Sequence, residues 1–91
     1  ILDPGIGFLG SADADFEALR TMHEIDLPLL VGVSRKSLIW KTLQTSPNEA
    51  LPATQALHMY ALMHGADILR VHDVREAVET VELFRKLKGE N

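Results

Sequence analysis

Cysteine is missing from this sequence of 91 residues, and aromatic side chains are few: three Phe, one Trp and one Tyr. Without cysteine the chain has neither disulfides nor thiolate metal ligands, and its redox compartment stays undefined. No apolar run is long enough to cross a membrane and no signal peptide is recognisable, so the sequence favours the cytoplasm. The sequence also lacks an initiator Met and opens on a strand-like segment, from which we expect a fragment of a longer protein.

Positive charge is in short supply as well. Nine Lys and Arg residues stand against thirteen Asp and Glu, which gives a formal net charge of −4. This acidic balance argues against non-specific binding to nucleic acid or to a membrane surface. With 46% hydrophobic residues, the composition is that of a globular chain that can bury a small core.

Three short apolar segments alternate with helical patterns along the chain. Strands are predicted at 1–2, 29–33 and 67–72, and helices at about 13–25, 37–43, 46–64 and from 74 onward. Continuous apolar strands between helices predict a parallel sheet joined by right-handed crossovers. Two architectures fit, a doubly wound open sheet and an arc of a (β/α)₈ barrel, and both bind ligands at the carboxyl ends of their strands.

Several residues mark predicted helix boundaries. Ser46 is a predicted N-cap, with Pro47 at the first helical position and Glu49 completing a capping box. Gly65 is the predicted end of the same helix. Asp73 is predicted to cap the last helix and to have no further role.

A polar cluster follows each predicted strand. Asp3 and two glycines follow the first strand, residues 34–37 follow the second, and residues 70–73 end the third. Because the carboxyl ends of parallel strands lie at one edge of the sheet, we expect the three clusters to form a single site.

The residue types in these clusters favour a particular kind of ligand. Arg70 and His72 are two residues apart on a strand and so point to the same side. There, Lys36 of the neighbouring strand completes a cationic pocket suited to phosphate. Asp3 supplies a carboxylate that can accept two parallel N–H bonds from an aminopyrimidinone edge. Together these residues indicate a flat, amide-rich heterocycle that carries an anionic leaving group.

The segments DPGIGF, VGVSRKS and GADILRVHDV closely resemble, in order and spacing, the last three strand segments of dihydropteroate synthase. The resemblance runs from Ile1 to about Val78. It implies an α/β fold, the TIM (β/α)₈ barrel, of which residues 1–91 would be the C-terminal portion of a single pterin-binding domain. It also implies that family's activity in folate biosynthesis: condensation of hydroxymethyl-dihydropterin pyrophosphate with p-aminobenzoate to give dihydropteroate and pyrophosphate.

The family's pterin and pyrophosphate contacts fall on five positions of this sequence. By resemblance, Asp3, Gly32 and Lys36 would bind the pterin, and Arg70 and His72 would bind the pyrophosphate. Lys36, Arg70 and His72 would be the catalytic residues. Lys36 would contact the pterin carbonyl edge beside the incoming p-aminobenzoate, and Arg70 and His72 would stabilise the charge of the departing pyrophosphate. No residue of the chain is needed as a covalent nucleophile.

The resemblance also implies a second substrate site, a cofactor and partners. Phe8, Arg35 and Ser37 would form the p-aminobenzoate pocket. No metal ligand is expected in this segment, and Mg²⁺ would be bound by the missing N-terminal part. The expected partners are the two small-molecule substrates and a second copy in a homodimer, not nucleic acid or a membrane. The fragment alone is expected to be inactive.

Some positions depart from the family pattern. GFLG stands in place of the usual GFGK, Trp40 in place of a glycine, and Ala53 in place of the Gly that commonly precedes Thr54. A non-catalytic or methyltransferase-type pterin-binding barrel is the alternative function, since it would share contacts like those of Asp3. Such a barrel requires neither SRKS nor RVHDV, and both motifs are present here. A phosphate-binding barrel enzyme of another pathway would need a glycine-rich loop after its last strands, where this sequence has RVHDVRE.

The remaining histidines, His23, His58 and His64, have no metal-ligand spacing with carboxylates and are predicted to be packing or surface residues. The predicted helix at 46–64 is apolar on nearly all sides. This pattern indicates burial in the core or a subunit interface.

Overall fold

The computed structural model describes residues 1–89, and within them it contains four α-helices and two strands. The helices are α1 (Ala12–Thr21), α2 (Ser37–Thr42), α3 (Leu51–Met63) and α4 (Val74–Leu87), and the strands are β1 (Leu29–Val31) and β2 (Ala66–Leu69). Two short 3₁₀ helices, Met22–Glu24 and Pro47–Glu49, precede β1 and α3. None of the helices in the described part of the chain is long and apolar enough to cross a membrane.

The strand segments pair in parallel and in chain order. β1 lies beside β2, with Val31 opposite Leu69. At its other edge β1 meets the first segment through a parallel bridge between Leu2 and Leu29, where the N–H of Leu30 donates to the carbonyl of Leu2 at 2.9 Å. The predicted parallel order of the three segments is therefore confirmed, although the first one is reduced to a single bridge.

Both strands are shorter than predicted. β1 ends at Val31 and not at residue 33, and β2 covers 66–69 and not 67–72. The ladder continues for one residue past β2, where the N–H of Arg70 donates to the carbonyl of Val31 at 3.0 Å. It stops there because the chain after β1 enters a turn at residues 34–35.

The helix boundaries follow some predicted signals and not others. The side chain of Ser11 caps α1 by accepting a hydrogen bond from the N–H of Ala14 at 3.1 Å. Gly65 takes a left-handed φ of +109° after α3, as expected for a helix stop. The capping box predicted at Ser46 is wrong, because its hydroxyl bonds to the carboxylate of Glu49 at 3.0 Å and makes no side-chain cap. Ser46 precedes the separate 3₁₀ helix Pro47–Glu49, and Glu49 is the last residue of that helix.

The core lies between one face of the sheet and the helices. Its largest buried side chains are those of Ile6, Leu19, Met22, Leu29, Val31, Val33 and Leu38. The opposite face of the sheet is open, with Ile68, the partner of Leu30, 41% exposed. A sheet covered by helices on one face only is the arrangement expected for consecutive units of a (β/α)₈ barrel, whose other face fills the barrel interior.

The three remaining histidines pack or lie on the surface, as predicted. His58 of α3 is fully buried, and its Nδ1 lies 3.1 Å from Oε1 of Gln55. His64 stacks on Tyr60, with ring centroids 4.0 Å apart. His23 is exposed.

Candidate functional site

The loops that follow the three strand segments meet at one edge of the sheet. They border a cleft of about 180 Å³ lined by Gly32, Ser34, Lys36, Arg70, Val71 and His72. Asp3 joins this cleft from the first loop, since its Oδ2 lies 3.7 Å from Nη1 of Arg70. The prediction that the three polar clusters meet is confirmed.

Arg70 and His72 continue the line of β2 and point away from α4. Their neighbours Leu69 and Val71 line an apolar groove against α4, so the alternation of sides predicted from the sequence is confirmed. The Arg70 guanidinium lies directly over Gly32, where an added β-carbon would be 2.8 Å from Nη2. The His72 side chain is 72% exposed, and its Nδ1 lies 3.7 Å from Oδ1 of Asp73. The rest of the imidazole is open to a ligand in the cleft.

Asp3 holds its own turn and also faces the cleft. Its Oδ1 accepts a hydrogen bond from the N–H of Gly5 at 2.8 Å, which fixes the bend of the glycine-rich loop. Its Oδ2 faces Arg70 at 3.7 Å, and both side chains are partly exposed. Such a solvated ion pair is weak, so a ligand can replace it. The turn role and the binding role use different oxygens and do not exclude each other.

Lys36 links the second loop to the first. Its Nζ donates a hydrogen bond to the carbonyl of Ile6 and lies 5.3 Å from the ring centroid of Phe8. Burial lowers the pKa of the Lys36 ammonium, and the positive charge of Arg70 lowers it further, against the attraction of Asp3. An anion bound between Lys36 and Arg70 would relieve this repulsion and favour the charged amine.

Phe8 and Ser37 lie on the Lys36 side of the site. The Phe8 ring is 81% exposed, and Ser37 is the first residue of α2, directly after Lys36. An exposed aromatic ring beside a cation provides a surface on which a second flat ring can stack. The structure thus brings Phe8 to Lys36 in space and places Ser37 next to it along the chain.

Arg35 is held on all three guanidinium nitrogens. Nε and Nη2 donate to Oδ2 and Oδ1 of Asp73 at 2.8 and 2.9 Å, and Nη1 donates to the carbonyl of Pro47 at 3.0 Å. The hydrogen bonds between the two groups, and to a smaller extent their opposite charges, raise the pKa of Arg35 and lower the pKa of the Asp73 carboxyl. Asp73 makes no side-chain cap on α4. The prediction that it only caps this helix is therefore wrong, because its carboxylate is taken by Arg35.

Residues 1–72 match the family model described as "Pterin binding enzyme". The chain belongs to this pterin-binding enzyme family. It is 43% identical over 86 residues to dihydropteroate synthase of Escherichia coli K12, an alignment that covers 91% of this chain and 30% of that protein. It is 50% identical over 78 residues to dihydropteroate synthase of Synechocystis, covering 81% of this chain and 27% of the relative. The chain thus spans less than a third of the length of these relatives.

Solved structures of the pterin-binding family superpose on nearly the whole chain. The crystal structure of Yersinia pestis dihydropteroate synthase gives a TM-score of 0.91 at 37% identity, covering 97% of this chain and 43% of that one. Thermus thermophilus dihydropteroate synthase, solved in complex with 6HMPPP, gives 0.88 at 36% identity, covering 96% and 36%. These relatives are TIM barrels, and the predicted α/β barrel fold is confirmed.

Three side chains of this pterin-binding chain support the loops and were not predicted. They are Ser34, Thr54 and Asp15, which accept hydrogen bonds from the backbone N–H groups of His72 (3.1 Å), Arg35 (3.1 Å) and Gly7 (2.9 Å). For Asp15 the sequence does contain a signal, because helical periodicity places it on the side of Leu19 and Met22. A carboxylate on a buried helix face needs a donor, and here the donor is a loop amide.

The described residues do not fit a magnesium site of their own. Across residues 1–89, no group of three or more His, Cys, Asp or Glu side chains could hold a metal ion.

Proposed function

We propose that the protein to which this chain belongs is a dihydropteroate synthase. In the proposed reaction, dihydropterin pyrophosphate and p-aminobenzoate give dihydropteroate and pyrophosphate. The observation that carries the proposal is one cleft in which Lys36, Arg70 and His72 converge with a carboxylate, Asp3, at the rim. Two named relatives at 43% and 50% identity support the same function.

Arg70 and His72 serve the leaving group. The bond between the pterin methylene carbon and the pyrophosphate oxygen breaks, and its electron pair stays on the pyrophosphate. A guanidinium and an imidazole on one side of a strand can hold this developing charge, while the electron-rich pterin carries the positive charge left on carbon. The aniline nitrogen of p-aminobenzoate then forms the new C–N bond and loses a proton, so the chain needs no covalent nucleophile.

Asp3 and Lys36 serve the pterin. We assign to Asp3 the N–H groups of the pterin amino group and ring, which its carboxylate can accept. The assignment is supported by Oδ2, which the turn does not use and which faces the cleft. Lys36 contacts the carbonyl edge of the heterocycle. Gly32 has no side chain at the floor of the cleft, and the Arg70 guanidinium lies over it. When this guanidinium turns to the pyrophosphate, the space above Gly32 would admit a flat ring.

We place p-aminobenzoate on the side of Lys36 where Phe8 and Ser37 lie. The exposed Phe8 ring offers a stacking surface, and the Ser37 hydroxyl can donate to the substrate carboxylate. Arg35 borders this side, but its guanidinium is engaged by Asp73 and Pro47. We therefore propose that Arg35 shapes the pocket by holding its loop and not by binding the substrate.

The wider assignments are also proposals. Mg²⁺ would be held by residues outside this chain, and the cytoplasmic location and the lack of a nucleic-acid or membrane partner stay predictions from the sequence. A homodimer is supported by exposed apolar side chains on α3 and α4, with Met63 61%, Leu83 62% and Leu87 70% exposed. Sedimentation equilibrium of the complete enzyme tests the dimer, and a monomer at all concentrations contradicts it.

The function is tested in a chimera. Residues 1–89 replace the matching segment of the Escherichia coli enzyme, and product formation is measured with both substrates. We expect turnover, and we expect Arg70→Ala to weaken pyrophosphate binding by about 2–4 kcal/mol, or tens- to several-hundred-fold. Binding of p-aminobenzoate should change far less. Calorimetry with pyrophosphate measures the first effect directly.

Arg85→Ala is the matched control, since Arg85 is an exposed arginine in the last turn of α4, away from the cleft. An unchanged pyrophosphate affinity in Arg70→Ala removes this residue from the leaving-group role. A chimera that forms no product, and that binds the pterin equally well with and without its pyrophosphate group, would favour the non-catalytic or methyltransferase-type barrel.

A further inference from the structure

The ion pair between Arg35 and Asp73 joins the two loops that carry the candidate ligand residues. Arg35 directly precedes Lys36, and Asp73 directly follows His72. The pair is bidentate, at 2.8 and 2.9 Å, and its side chains are only 23% and 16% exposed. Two parallel N–H···O bonds fix orientation as well as distance. The pair therefore sets how the end of β1 lies against the end of β2.

The loop around Arg35 is constrained at several further points. Its backbone has φ of +51°, in the left-handed region that a non-glycine residue seldom adopts without support. The Arg35 N–H donates to Oγ1 of the fully buried Thr54 at 3.1 Å, and Nη1 donates to the carbonyl of Pro47. A residue held at so many points is a fixed part of the scaffold and not a mobile ligand.

A second hydrogen bond joins the same two loops. The N–H of His72 donates to Oγ of Ser34 at 3.1 Å. Past the end of the β-ladder at Arg70, these two connections keep the loops in register. Of these two connections, the Arg35–Asp73 pair is the charged one, and it consists of two parallel hydrogen bonds where the His72–Ser34 connection has one.

We propose that Asp73 is a positioning residue that acts through Arg35 to hold Lys36 at its working distance from Arg70 and His72. The inference rests on the proposed function, in which these three residues act on opposite parts of one substrate. A shift of about 1 Å between two such groups can cost about 100-fold in rate. Asp73 itself need not touch either substrate.

The test uses the complete enzyme, or the active chimera, with Asp73→Asn, Asp73→Glu and Arg35→Lys. Kinetics are measured at a temperature well below the unfolding transition of every variant. We expect Asp73→Asn to lower kcat by about ten- to 100-fold. In Arg35→Lys, pyrophosphate affinity should stay near the wild-type value, because Arg70 and His72 lie two residues apart on the segment after β2 and keep their own spacing. Asp73→Asn should add a small change in this affinity, since Oδ1 of Asp73 also lies 3.7 Å from Nδ1 of His72.

The conservative variants separate positioning from charge. Asp73→Glu keeps the carboxylate on a longer side chain and should recover part of the lost kcat. Arg35→Lys keeps the positive charge but loses the planar fork, so it should show the same fall in kcat as Asp73→Asn. Combining the two should cost little more than either alone, since both break one interaction. If Asp73→Asn does not fold, the kcat of Arg35→Lys still tests the inference, because this variant breaks the same ion pair.

Glu17→Gln is the matched control, since it breaks a different Arg–carboxylate pair, with Arg20, that is more than half exposed on α1. It should leave kcat unchanged. Folded Asp73→Asn and Arg35→Lys with wild-type kcat would overturn the inference, as would a loss of thermal stability with kcat per folded molecule intact. A wild-type chimera without activity would instead overturn the proposed function.

Discussion

The crowding between Gly32 and Arg70 shows how one missing side chain shapes the cleft. A β-carbon at Gly32 would meet Nη2, Nε and Cζ of Arg70 at 2.8, 3.0 and 3.2 Å. The glycine is thus needed for the close approach of the guanidinium and not for a left-handed backbone. Because the clashing atoms are the end of a flexible side chain, the cost of a larger residue falls on the position of Arg70 and not on the fold.

Gly32→Ala should therefore weaken pyrophosphate binding without lowering the stability of the fold. In the complete enzyme we expect a normal unfolding midpoint and a loss of pyrophosphate affinity of about 1–2 kcal/mol, or about five- to 30-fold. Calorimetry measures the loss. In an Arg70→Ala background the same substitution should have no further effect, because the clashing group is gone. An equal loss in both backgrounds would assign the effect to the pterin ring or to the backbone.

The sequence predicted the residues that face the ligand better than the residues that hold the loops in place. Asp3, Lys36, Arg70 and His72 could be placed together because strand alternation and strand order fix which side chains share an edge. The pairing of Arg35 with Asp73 could not, since the two residues are 38 apart in sequence and their contact depends on how the loops fold. Asp73 also carries a strong local signal for an N-cap, which here competes with a better tertiary partner.

At the scale of elements, the strand–helix units position the loops through buried side chains of the helices. α1 supports the first loop through Asp15, which is only 4% exposed and accepts the N–H of Gly7 at 2.9 Å. α3 supports the second loop through Thr54. The order and direction of the elements follow from apolar periodicity and caps. The ends of the strands cannot be predicted in this way. Pairing stops where the chain turns at 34–35, one backbone hydrogen bond past β2, from the N–H of Arg70 to the carbonyl of Val31.

Asp15→Ala should destabilise the complete enzyme by about 1–3 kcal/mol, since it leaves a loop N–H without its partner and removes a carboxylate from the first turn of α1. Denaturant unfolding measures the change. Asp13→Ala is the control, because Asp13 is an exposed carboxylate in the same turn. It loses only the interaction with the helix dipole, worth about 0.3–1 kcal/mol. Equal losses for the two variants would show that the bond to Gly7 contributes nothing.

At the scale of the molecule, the described chain presents apolar surface on two sides. The inner face of the sheet exposes Ile68, and α4 exposes Val74, Val78 and Leu87 at 50% or more. The two-stranded sheet of residues 1–89, with its single bridge to Leu2, has open edges on both sides. Unpaired edges beside bare apolar faces are sites of association, and a barrel removes both by closing.

The 91 residues made alone should therefore aggregate or stay partly unfolded, because the buried area is too small to offset the conformational entropy of the chain. Circular dichroism and sedimentation of the purified chain test this expectation. Adding the rest of the Escherichia coli enzyme as a separate chain should raise helical signal and give a defined complex, since its other units pair the open edges and cover the inner face of the sheet. The matched control adds an unrelated barrel of similar size, which should have no effect. A cooperative melt of a monomeric 91-residue chain would contradict the prediction and show a small α/β domain that is stable without the rest of a barrel.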